Sequence, residues 1–372
     1  MLDECIGTLI DCTFETFKAV YKLIDNMIND NENVITKKQW EEFLQSINIC
    51  NKSKEIIKYS STKDNTITFY VPYGISEEDI KPKEVYFKKF LNCNRVEYTI
   101  KRNYMVMNYY VESLPEKIKY DINNEIVLNK NMIEIDIGQS YNGITKINFN
   151  KMPHLLIAGA TGSGKSVMTH CILTQLYRKY RNIDFYLADM KKVELINYKN
   201  KECTKRYVDT IEEVSDLIEE LLEECNRRYE LIAKAGCKKI ETYNKKVNPK
   251  DRMNNIIFVI EECVRLVSDK NIQKNLAELL FIARACGIYV ICTIQRPTVK
   301  CISPEIKSSL GNIIGMKTVN KRNSEVICDD NRLKDLRGHG HCWVFNDEGE
   351  IETQGFYIDE DEIDALLKDV KW

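Results

Sequence analysis

A glycine-rich loop carries the clearest chemistry in this sequence. Residues 159–166 read GATGSGKS and match the pattern G-x-x-x-x-G-K-[ST], in which backbone N–H groups surround phosphate oxygens. The lysine of such a loop reaches the β- and γ-phosphates, and the hydroxyl after it holds Mg²⁺. The loop therefore predicts a site for a nucleoside triphosphate and Mg²⁺, with Lys165 as a catalytic cation and Ser166 as a metal ligand. The predicted binding residues are Gly159, Ala160, Thr161, Gly162, Ser163, Gly164, Lys165, Ser166 and Val167.

Two acidic residues end the apolar run 255–260 and offer the remaining chemistry of phosphoryl transfer. That reaction needs a second group on the metal side and a group that orients the attacking water. We predict that Glu261 completes the Mg²⁺ shell and that Glu262 polarises the water; the alternative is a solvated strand end. Gln295 follows another apolar run. It is predicted to hydrogen-bond the γ-phosphate or the water, and the alternative is an amide in a strand–loop corner.

The elements that must position these groups are apolar strands alternating with amphipathic helices, from about residue 131 onward. An apolar run ending at Ala158 precedes the loop, and helix-forming residues follow it, so that a helix N-terminus is directed at the anion. Residues 183–189 and 255–262 are short apolar runs ending in acid, and Gly236 closes an amphipathic helix between them. This α/β alternation predicts a mostly parallel sheet with helices on both faces, which binds ligands at the carboxyl ends of its strands.

The first 130 residues follow a different pattern. Residues 1–65 are predicted to be a helical region and residues 66–130 a small α/β domain, followed by the nucleotide-binding domain at 131–372. Two apolar stripes with helical spacing mark the first region. They are Ile10, Phe14, Phe17, Tyr21, Ile24 and Ile28, and then Trp40, Phe43, Leu44 and Ile47. We expect the first stripe to pack on the protein's own core; the alternative is docking on a membrane protein or on the membrane surface.

Composition is that of an ordinary globular protein, with 44% apolar and 30% charged residues in a chain of 372. The formal net charge of −2 gives no support for nucleic-acid binding, so any DNA contact must come from local basic loops. Fourteen cysteines without a C-x-x-C pattern predict reduced thiols and a cytoplasmic location. No run of 18 apolar residues and no signal peptide occurs, so the chain alone is not expected to span a membrane.

An alternative for His339, His341 and Cys342 is a zinc site, although no second cysteine pair accompanies them.

Several motifs in a fixed order resemble those of the FtsK/SpoIIIE family of ring-shaped DNA translocases, from Ile133 to Ile363. KMPHLLIAGATGSGKS resembles the family's phosphate loop, ADMKKVEL its D-P-K-x-x-E-L element, and NRRYELIAKAGCKKIETYN its R-R-Y segment. IARACGIYVICTIQRP resembles its block ending in T-Q-R-P, and LRGHGHCWVF its L-x-G-x-G block. The departures from the family pattern are Met190 for proline, Glu261 and His341 for aspartate, Ile294 for threonine, and Ile313 and Glu325 for arginines.

This resemblance implies a RecA-like motor domain that binds ATP and Mg²⁺ between the subunits of a homo-oligomeric ring, usually a hexamer, around double-stranded DNA. Arg284 of the ARACG segment matches the family's arginine finger, which stabilises transition-state charge in the neighbouring subunit. Such a motor grips phosphates rather than reads bases. Candidate contacts are the basic residues Lys300, Lys307, Lys321 and Arg322, for which the alternative is a solvated surface charge.

We therefore expect an ATP-driven DNA translocase of the short type carried by conjugative and other mobile elements, acting in DNA transfer or segregation. The expected location is cytoplasmic, with a membrane-protein partner engaged through the N-terminal region. One alternative is a nucleotide-gated DNA tether or assembly scaffold with weak turnover, to which the altered acid and the replaced arginines point. The other is a protein-secretion ATPase, because secretion ATPases share this domain.

Overall fold

The computed structural model describes residues 35–121, 132–266, 269–297 and 304–370. The chain divides into two compact units between Ser113 and Leu114. The apolar stripe of residues 10–28 lies outside the described residues, as does Lys300.

The first unit is an antiparallel sheet covered by helices. Its strands are β1 (Lys58–Lys63), β2 (Thr66–Tyr70), β3 (Arg95–Lys101) and β4 (Tyr104–Tyr110), in the spatial order β1-β2-β4-β3. Its helices are α1 (Lys37–Ile47), α2 (Glu77–Ile80) and α3 (Glu84–Phe90). A capping box between Thr36 and Gln39 starts α1. The predicted stripe of Trp40, Phe43, Leu44 and Ile47 is buried, as its helical spacing requires.

The boundaries of this unit differ from the predicted ones at 65 and 130. Residue 65 lies in the turn between β1 and β2, which pair in antiparallel register, so the described part of the helical region and the small α/β domain form one unit. The unit ends at Ser113 because the following residues pair with the second unit's sheet. Pro82 lies in a 3-10 turn that separates α2 from α3.

The second unit contains one large mixed sheet. Its strands are β5 (Ile118–Lys119), β6 (Glu134–Ser140), β7 (Gly143–Asn148), β8 (Leu155–Ala158), β9 (Ile183–Asp189), β10 (Thr204–Val208), β11 (Asn255–Glu261), β12 (Ile288–Ile294), β13 (Asn312–Met316), β14 (His341–Asn346) and β15 (Gly349–Tyr357). Its helices are α4 (Lys165–Lys179), α5 (Ile211–Lys234), α6 (Ile240–Lys246), α7 (Lys270–Ile282), α8 (Pro304–Ser309), α9 (Lys321–Cys328) and α10 (Glu360–Leu366).

The strand order of this sheet is β10-β9-β11-β12-β8-β13-β14-β15-β6-β7. Pairing is parallel from β10 to β13 and antiparallel from β13 to β7, while β5 pairs in parallel with β15. The phosphate-loop strand β8 lies between β12 and β13. The preceding strand of the chain, β7, lies on the β13 side of β8, and the following strand, β9, lies on the β12 side. Ligands of open α/β sheets bind at such a switch point.

Helices cover both faces of the parallel part. Every residue of β11 and of β12 is buried. Alternate residues of β11 face opposite sides: Phe258 packs in one core with α5 and α7, and Ile257 packs in another with α4. Strands buried on both faces read as continuous apolar runs, which is why these runs were recognisable in the sequence. The predicted α/β fold with a mostly parallel sheet is confirmed.

None of the helices among the described residues combines the length and the apolar character that crossing a bilayer demands.

Candidate nucleotide-binding site

The carboxyl ends of the parallel strands bring the predicted acids to the edge where the phosphate loop begins. Glu261, the last residue of β11, is in register with Asp189, the last residue of β9. The end of β12 at Ile294 is in register with Ala158, which immediately precedes the loop. The sheet therefore places the loop and the strand-end residues side by side.

The phosphate loop is held by backbone hydrogen bonds from two neighbouring strands. The Gly159 N–H donates to the carbonyl of Ile294 at 3.0 Å, and the Ala160 N–H donates to the carbonyl of Lys317 at 2.8 Å. Gly164 has φ +99°, and a Cβ atom there would lie 2.7 Å from the backbone nitrogen of Gly340. Only glycine fits this position, because a side chain would both strain the backbone and collide with a neighbouring loop.

The loop presents a buried polar atom that no protein group satisfies. Ser163 is 2% exposed, and its Oγ has no hydrogen-bond partner among the described residues. Its carbonyl accepts a 2.8 Å hydrogen bond from the Gly340 N–H, so the backbone itself is fixed. An orphaned buried hydroxyl is costly, and it fits a loop whose missing partner is the oxygen of a bound anion.

Lys165 begins α4 and points into a buried cluster of charges. Its Nζ lies 2.9 Å from Oε1 of Glu261, and the two side chains are 3% and 1% exposed. The same Oε1 lies 3.1 Å from Nζ of Lys191, and Thr293 donates its hydroxyl to the other carboxylate oxygen. The Glu261 carboxylate thus bonds two lysines and a hydroxyl directly beside the phosphate loop. Its position and charge fit a role at Mg²⁺.

Glu262 occupies the left-handed region, with φ 61° and ψ 57°. This conformation costs a residue with a side chain on the order of 1–2 kcal/mol, and such strain clusters at functional sites. The Glu262 N–H donates to Oγ1 of Thr293 at 2.9 Å, and its Oε1 accepts from the Gln295 N–H at 3.4 Å. Its buried Oε2 has no partner within the described part of the chain. One carboxylate oxygen therefore remains able to accept a proton or a hydrogen bond from water.

Gln295 follows β12 and its backbone N–H donates to Glu262; its contact with the γ-phosphate or the water stays a prediction. The residue between these groups, Thr293, was missed by the sequence analysis. It is fully buried and bridges the two acids, because one hydroxyl donates to Glu261 and accepts from Glu262. The available signal was a single threonine in the otherwise largely apolar strand IYVICTI.

A short loop after β9 adds charges that the sequence analysis did not assign. Asp189 is fully buried and accepts from the Leu195 N–H and the Tyr207 hydroxyl, both at 2.9 Å, so it shapes this loop. Nζ of Lys191 also lies 3.0 Å from Oε1 of Glu194. Burial raises the pKa of Glu194, but hydrogen bonds from Lys191 and Ser166 outweigh it and hold the pKa below its ordinary value.

Arg284 lies at the amino ends of the parallel strands, opposite the carboxyl ends where the phosphate loop begins. It belongs to the 3-10 turn Ala283–Cys286, which precedes β12, and its guanidinium donates to the carbonyls of Asn150 and Lys151 at 3.2 and 2.9 Å. The phosphate loop adjoins the other end of that strand. Seven residues of β12 span about 20 Å. The structure therefore does not bring Arg284 to the phosphate loop of its own chain.

His154 links the start of the phosphate-loop strand to its neighbours. Its Nδ1 accepts from the Val290 N–H at 3.0 Å, and its Nε2 lies 2.8 Å from the carbonyl of Leu280. The ring is therefore a neutral tautomer with the proton on Nε2. Burial lowers the pKa of His154 to about 4. One side chain thus links the start of the phosphate-loop strand to β12 and to the end of α7.

A cavity of about 1070 Å³ opens beside the phosphate loop. Gly164, Val167 and Met168 form one wall, and the segments 337–340 and 354–361 form the others. Nζ of Lys117 stands 4.1 Å from the ring centroid of Tyr357 at its rim. The cavity is large enough for a nucleoside and adjoins the place where the phosphates would lie.

The remaining candidates fall into two groups. Lys321 and Arg322 are exposed at the start of α9, whereas Lys307 pairs with Asp329 at 2.9 Å.

The zinc alternative finds no support: His341 bonds Glu352 and Cys342 bonds the carbonyl of Thr353. No cluster of three His, Cys, Asp or Glu side chains suited to a metal occurs in the described ranges.

The parallel sheet, the loop at its switch point and the acids at the strand ends define a P-loop nucleoside triphosphatase domain of the RecA-like type. A sequence profile of the FtsK/SpoIIIE family matches residues 124–333. The chain belongs to the FtsK/SpoIIIE family.

Individual relatives agree with this assignment. The chain is similar to the DNA translocase FtsK of Streptococcus pneumoniae (strain ATCC BAA-255 / R6), with 30% identity over 258 residues, which is 65% of this chain and 34% of the relative. It matches the DNA translocase FtsK of Lactococcus lactis subsp. cremoris (strain MG1363) at 29% identity over 256 residues, 64% of this chain and 34% of the relative. The chain therefore spans about a third of the length of these relatives.

Among solved structures, the pCW3 conjugation coupling protein TcpA, in a monomer form with ATPγS, is similar over 89% of this chain and 98% of its own, with a TM-score of 0.64 and 25% identity. The cytoplasmic domain of the Thermomonospora curvata type VII secretion ATPase EccC has a TM-score of 0.58 and 20% identity over 66% of this chain and 32% of its own. The second likeness shows the shared fold alone.

Proposed function

We propose that this chain is an ATP-driven DNA translocase that acts in the transfer or segregation of plasmid or mobile-element DNA. The observation that carries the proposal is the cluster of buried Lys165, Glu261 and Thr293, with Glu262 bonded to it, beside the phosphate loop. It holds each group that phosphoryl transfer needs within one rigid edge of the sheet. The likeness to a conjugation coupling protein over nearly the whole of both chains supports a role in DNA transfer.

The residues divide the chemistry among them. Lys165 exchanges its bond to Glu261 for the nucleotide and neutralises charge on the β- and γ-phosphates, while the loop N–H groups surround the phosphate oxygens. Ser166 and Glu261 would hold Mg²⁺, which neutralises the developing phosphate charge when bound. Glu262 accepts a hydrogen bond from the attacking water through its Oε2, which no described residue contacts. Gln295, whose backbone already touches Glu262, is suited to report the state of the γ-phosphate to the loop after β12. The nucleoside would occupy the cavity beside Val167.

The place of Arg284 supports assembly into a ring. Since Arg284 lies about one strand length from its own phosphate loop, a role on ATP requires a neighbouring subunit. Its exposed guanidinium rests on two carbonyls, which keeps it ordered before assembly. The predicted hexamer, the membrane-protein partner and the cytoplasmic location stay predictions.

Mixing two inactive variants tests this trans role. Arg284→Ala subunits retain an intact phosphate loop, and Lys165→Ala subunits retain the arginine. A mixed interface contains one complete site, so the mixture should hydrolyse ATP faster than either variant alone. Loss of a finger usually costs about 10³–10⁵ in rate, which makes slight complementation measurable. If hetero-oligomers form and the rate of ATP hydrolysis does not rise, Arg284 does not act on the ATP of a neighbouring subunit.

Steady-state ATP hydrolysis with and without linear duplex DNA tests the proposed function. Duplex DNA should increase the rate severalfold, with Lys165→Ala as the blank. The stimulation should decline with salt, because phosphate contacts release counterions. Lys321 and Arg322 are the described candidates for these contacts, and reversing their charge should reduce stimulation while leaving the basal rate unchanged. ATP turnover that duplex DNA leaves unaltered would favour the tether.

A further inference from the structure

Two lysines share one oxygen of Glu261. Nζ of Lys165 lies 2.9 Å and Nζ of Lys191 3.1 Å from Oε1 of Glu261. The phosphate-loop motif explains the first lysine, and the proposed hydrolysis does not yet use the second. Lys191 is also bonded to Glu194 at 3.0 Å, so its ammonium group is fixed between two carboxylates.

Nucleotide binding must change this arrangement, because Lys165 cannot bond the phosphates and Glu261 equally well. When Lys165 turns toward the phosphates, Glu261 loses a partner in a place where it is 1% exposed. A buried carboxylate that loses a hydrogen-bonding cation is held less firmly in its position. A displaced carboxylate would serve poorly as a metal ligand.

We propose that Lys191 is a positioning residue that holds the Glu261 carboxylate in place while Lys165 is bonded to the nucleotide. The inference rests on the proposed function, since it assigns a residue to the same site. Lys191 acts through Glu261 and does not contact the nucleotide.

The loop that carries Lys191 is built to hold it still. The Lys191 N–H donates to Oδ1 of Asp189 at 3.2 Å, and the Leu195 N–H donates to the other oxygen of Asp189 at 2.9 Å. Glu194 holds the ammonium group from the far side at 3.0 Å. The bonds therefore run from the lysine of the phosphate loop through Glu261 to Lys191 and on to Glu194.

The neighbouring residue offers a matched control. Lys192 is exposed and pairs with Asp209 at 2.9 Å, away from Glu261. Lys191→Met and Lys192→Met remove the same charge from adjacent positions. Lys191→Arg keeps a cation with hydrogen-bond donors within reach of both carboxylates.

The test measures binding of a fluorescent ATP analogue carrying a methylanthraniloyl group, in EDTA and across a Mg²⁺ titration. Mg²⁺ should increase the affinity for the analogue, and the Mg²⁺ midpoint is the concentration that gives half of this increase. In Lys191→Met this midpoint should rise roughly 10-fold to 100-fold, because removing a group that orients a metal ligand usually weakens metal binding by that factor. Affinity in EDTA should change less than about threefold, and kcat should fall with little change in KM. Lys192→Met should match the wild type, and Lys191→Arg should recover at least part of the loss.

A double-mutant cycle separates action through Glu261 from direct contact with ATP. If Lys191 acts through Glu261, adding Lys191→Met to Glu261→Gln should leave Mg²⁺ dependence where Glu261→Gln alone places it. A parallel loss of affinity in EDTA and in Mg²⁺, or an additive double variant, would overturn the proposal. So would a wild-type Mg²⁺ midpoint in Lys191→Met.

Two controls keep the outcome readable. Melting temperatures in EDTA establish folding, and Lys191→Gln replaces the methionine variant if that variant does not fold. A wild-type chain that binds no ATP analogue would refute the proposed function itself, whereas normal binding with an unaffected Lys191→Met refutes only the role of Lys191.

Discussion

Replacing Thr293 by valine removes one hydroxyl and leaves the shape of the side chain almost unchanged. Thr293 is fully buried near the end of β12, where its Oγ1 accepts from the Glu262 N–H at 2.9 Å and donates to Glu261. The change therefore breaks the two hydrogen bonds that serve the acids at the centre of the proposed site, together with a longer one of 3.4 Å from Nζ of Lys165.

The cost can be worked from these two bonds. A backbone donor left without a partner costs about 1–3 kcal/mol, and the carboxylate loses a bond of similar size. Glu261 keeps both of its lysines, so its share lies at the low end. We expect Thr293→Val to lower the free energy of unfolding by about 3 kcal/mol. Because Glu262 then loses the bond that fixes its left-handed backbone, kcat should fall about 10-fold to 100-fold.

Urea unfolding and steady-state ATP hydrolysis measure the two effects separately. Thr293→Ser keeps the hydroxyl and should retain most of the stability and the rate. Thr353→Val is a matched control, because Thr353 is fully buried and bonded to Thr145 at 2.8 Å in the antiparallel part of the sheet. It should lose stability but not turnover. Normal kcat in a folded Thr293→Val variant would refute the role given to this hydroxyl.

Three further predictions follow from the site. Lys165→Ala should leave the fold intact, by an unchanged circular dichroism spectrum, and reduce ATP turnover by about 10² or more; near-normal kcat would place the active site elsewhere. Glu262→Gln should bind ATP normally in an equilibrium assay yet hydrolyse it poorly, and if Glu261→Gln alone blocks hydrolysis the two roles are reversed. His154 has a folded pKa of about 4 against about 6.5 unfolded, so its contribution to stability is fully present above pH 6.5 and is lost as the pH falls toward 4. That loss, worth at most about 3 kcal/mol, should be visible in urea midpoints at pH 7.5 and 5 and should be absent in His154→Gln.

The sequence predicted best what depends on local pattern. Glycine and lysine spacing identified the phosphate loop, and continuous apolar runs identified β11 and β12, whose ends carry Glu261 and Gln295. The parallel arrangement then required those ends to meet. The position of Arg284 at the amino end of β12 could also be inferred from the sequence, since Arg284 precedes that strand in the chain.

Features that depend on distant neighbours could not be predicted in this way. The bridging role of Thr293 needs the register of β11 against β12, and the pairing of Lys191 with Glu261 joins residues seventy positions apart. The boundary at Ser113 was missed because β5, a strand of only two residues, ties the next segment to β15. His154 lay within a recognised motif, yet its two hydrogen bonds reach Leu280 and Val290, which sequence spacing does not bring near.

The most direct test of ATP-driven movement on DNA is displacement of a triplex-forming oligonucleotide from linear duplex DNA. The wild-type protein with ATP and Mg²⁺ should release the third strand at a rate that depends on ATP hydrolysis. Lys165→Ala, and the wild type with a non-hydrolysable ATP analogue, should leave it bound. Hydrolysis of ATP on the duplex without release of the third strand would contradict translocation and favour the tether.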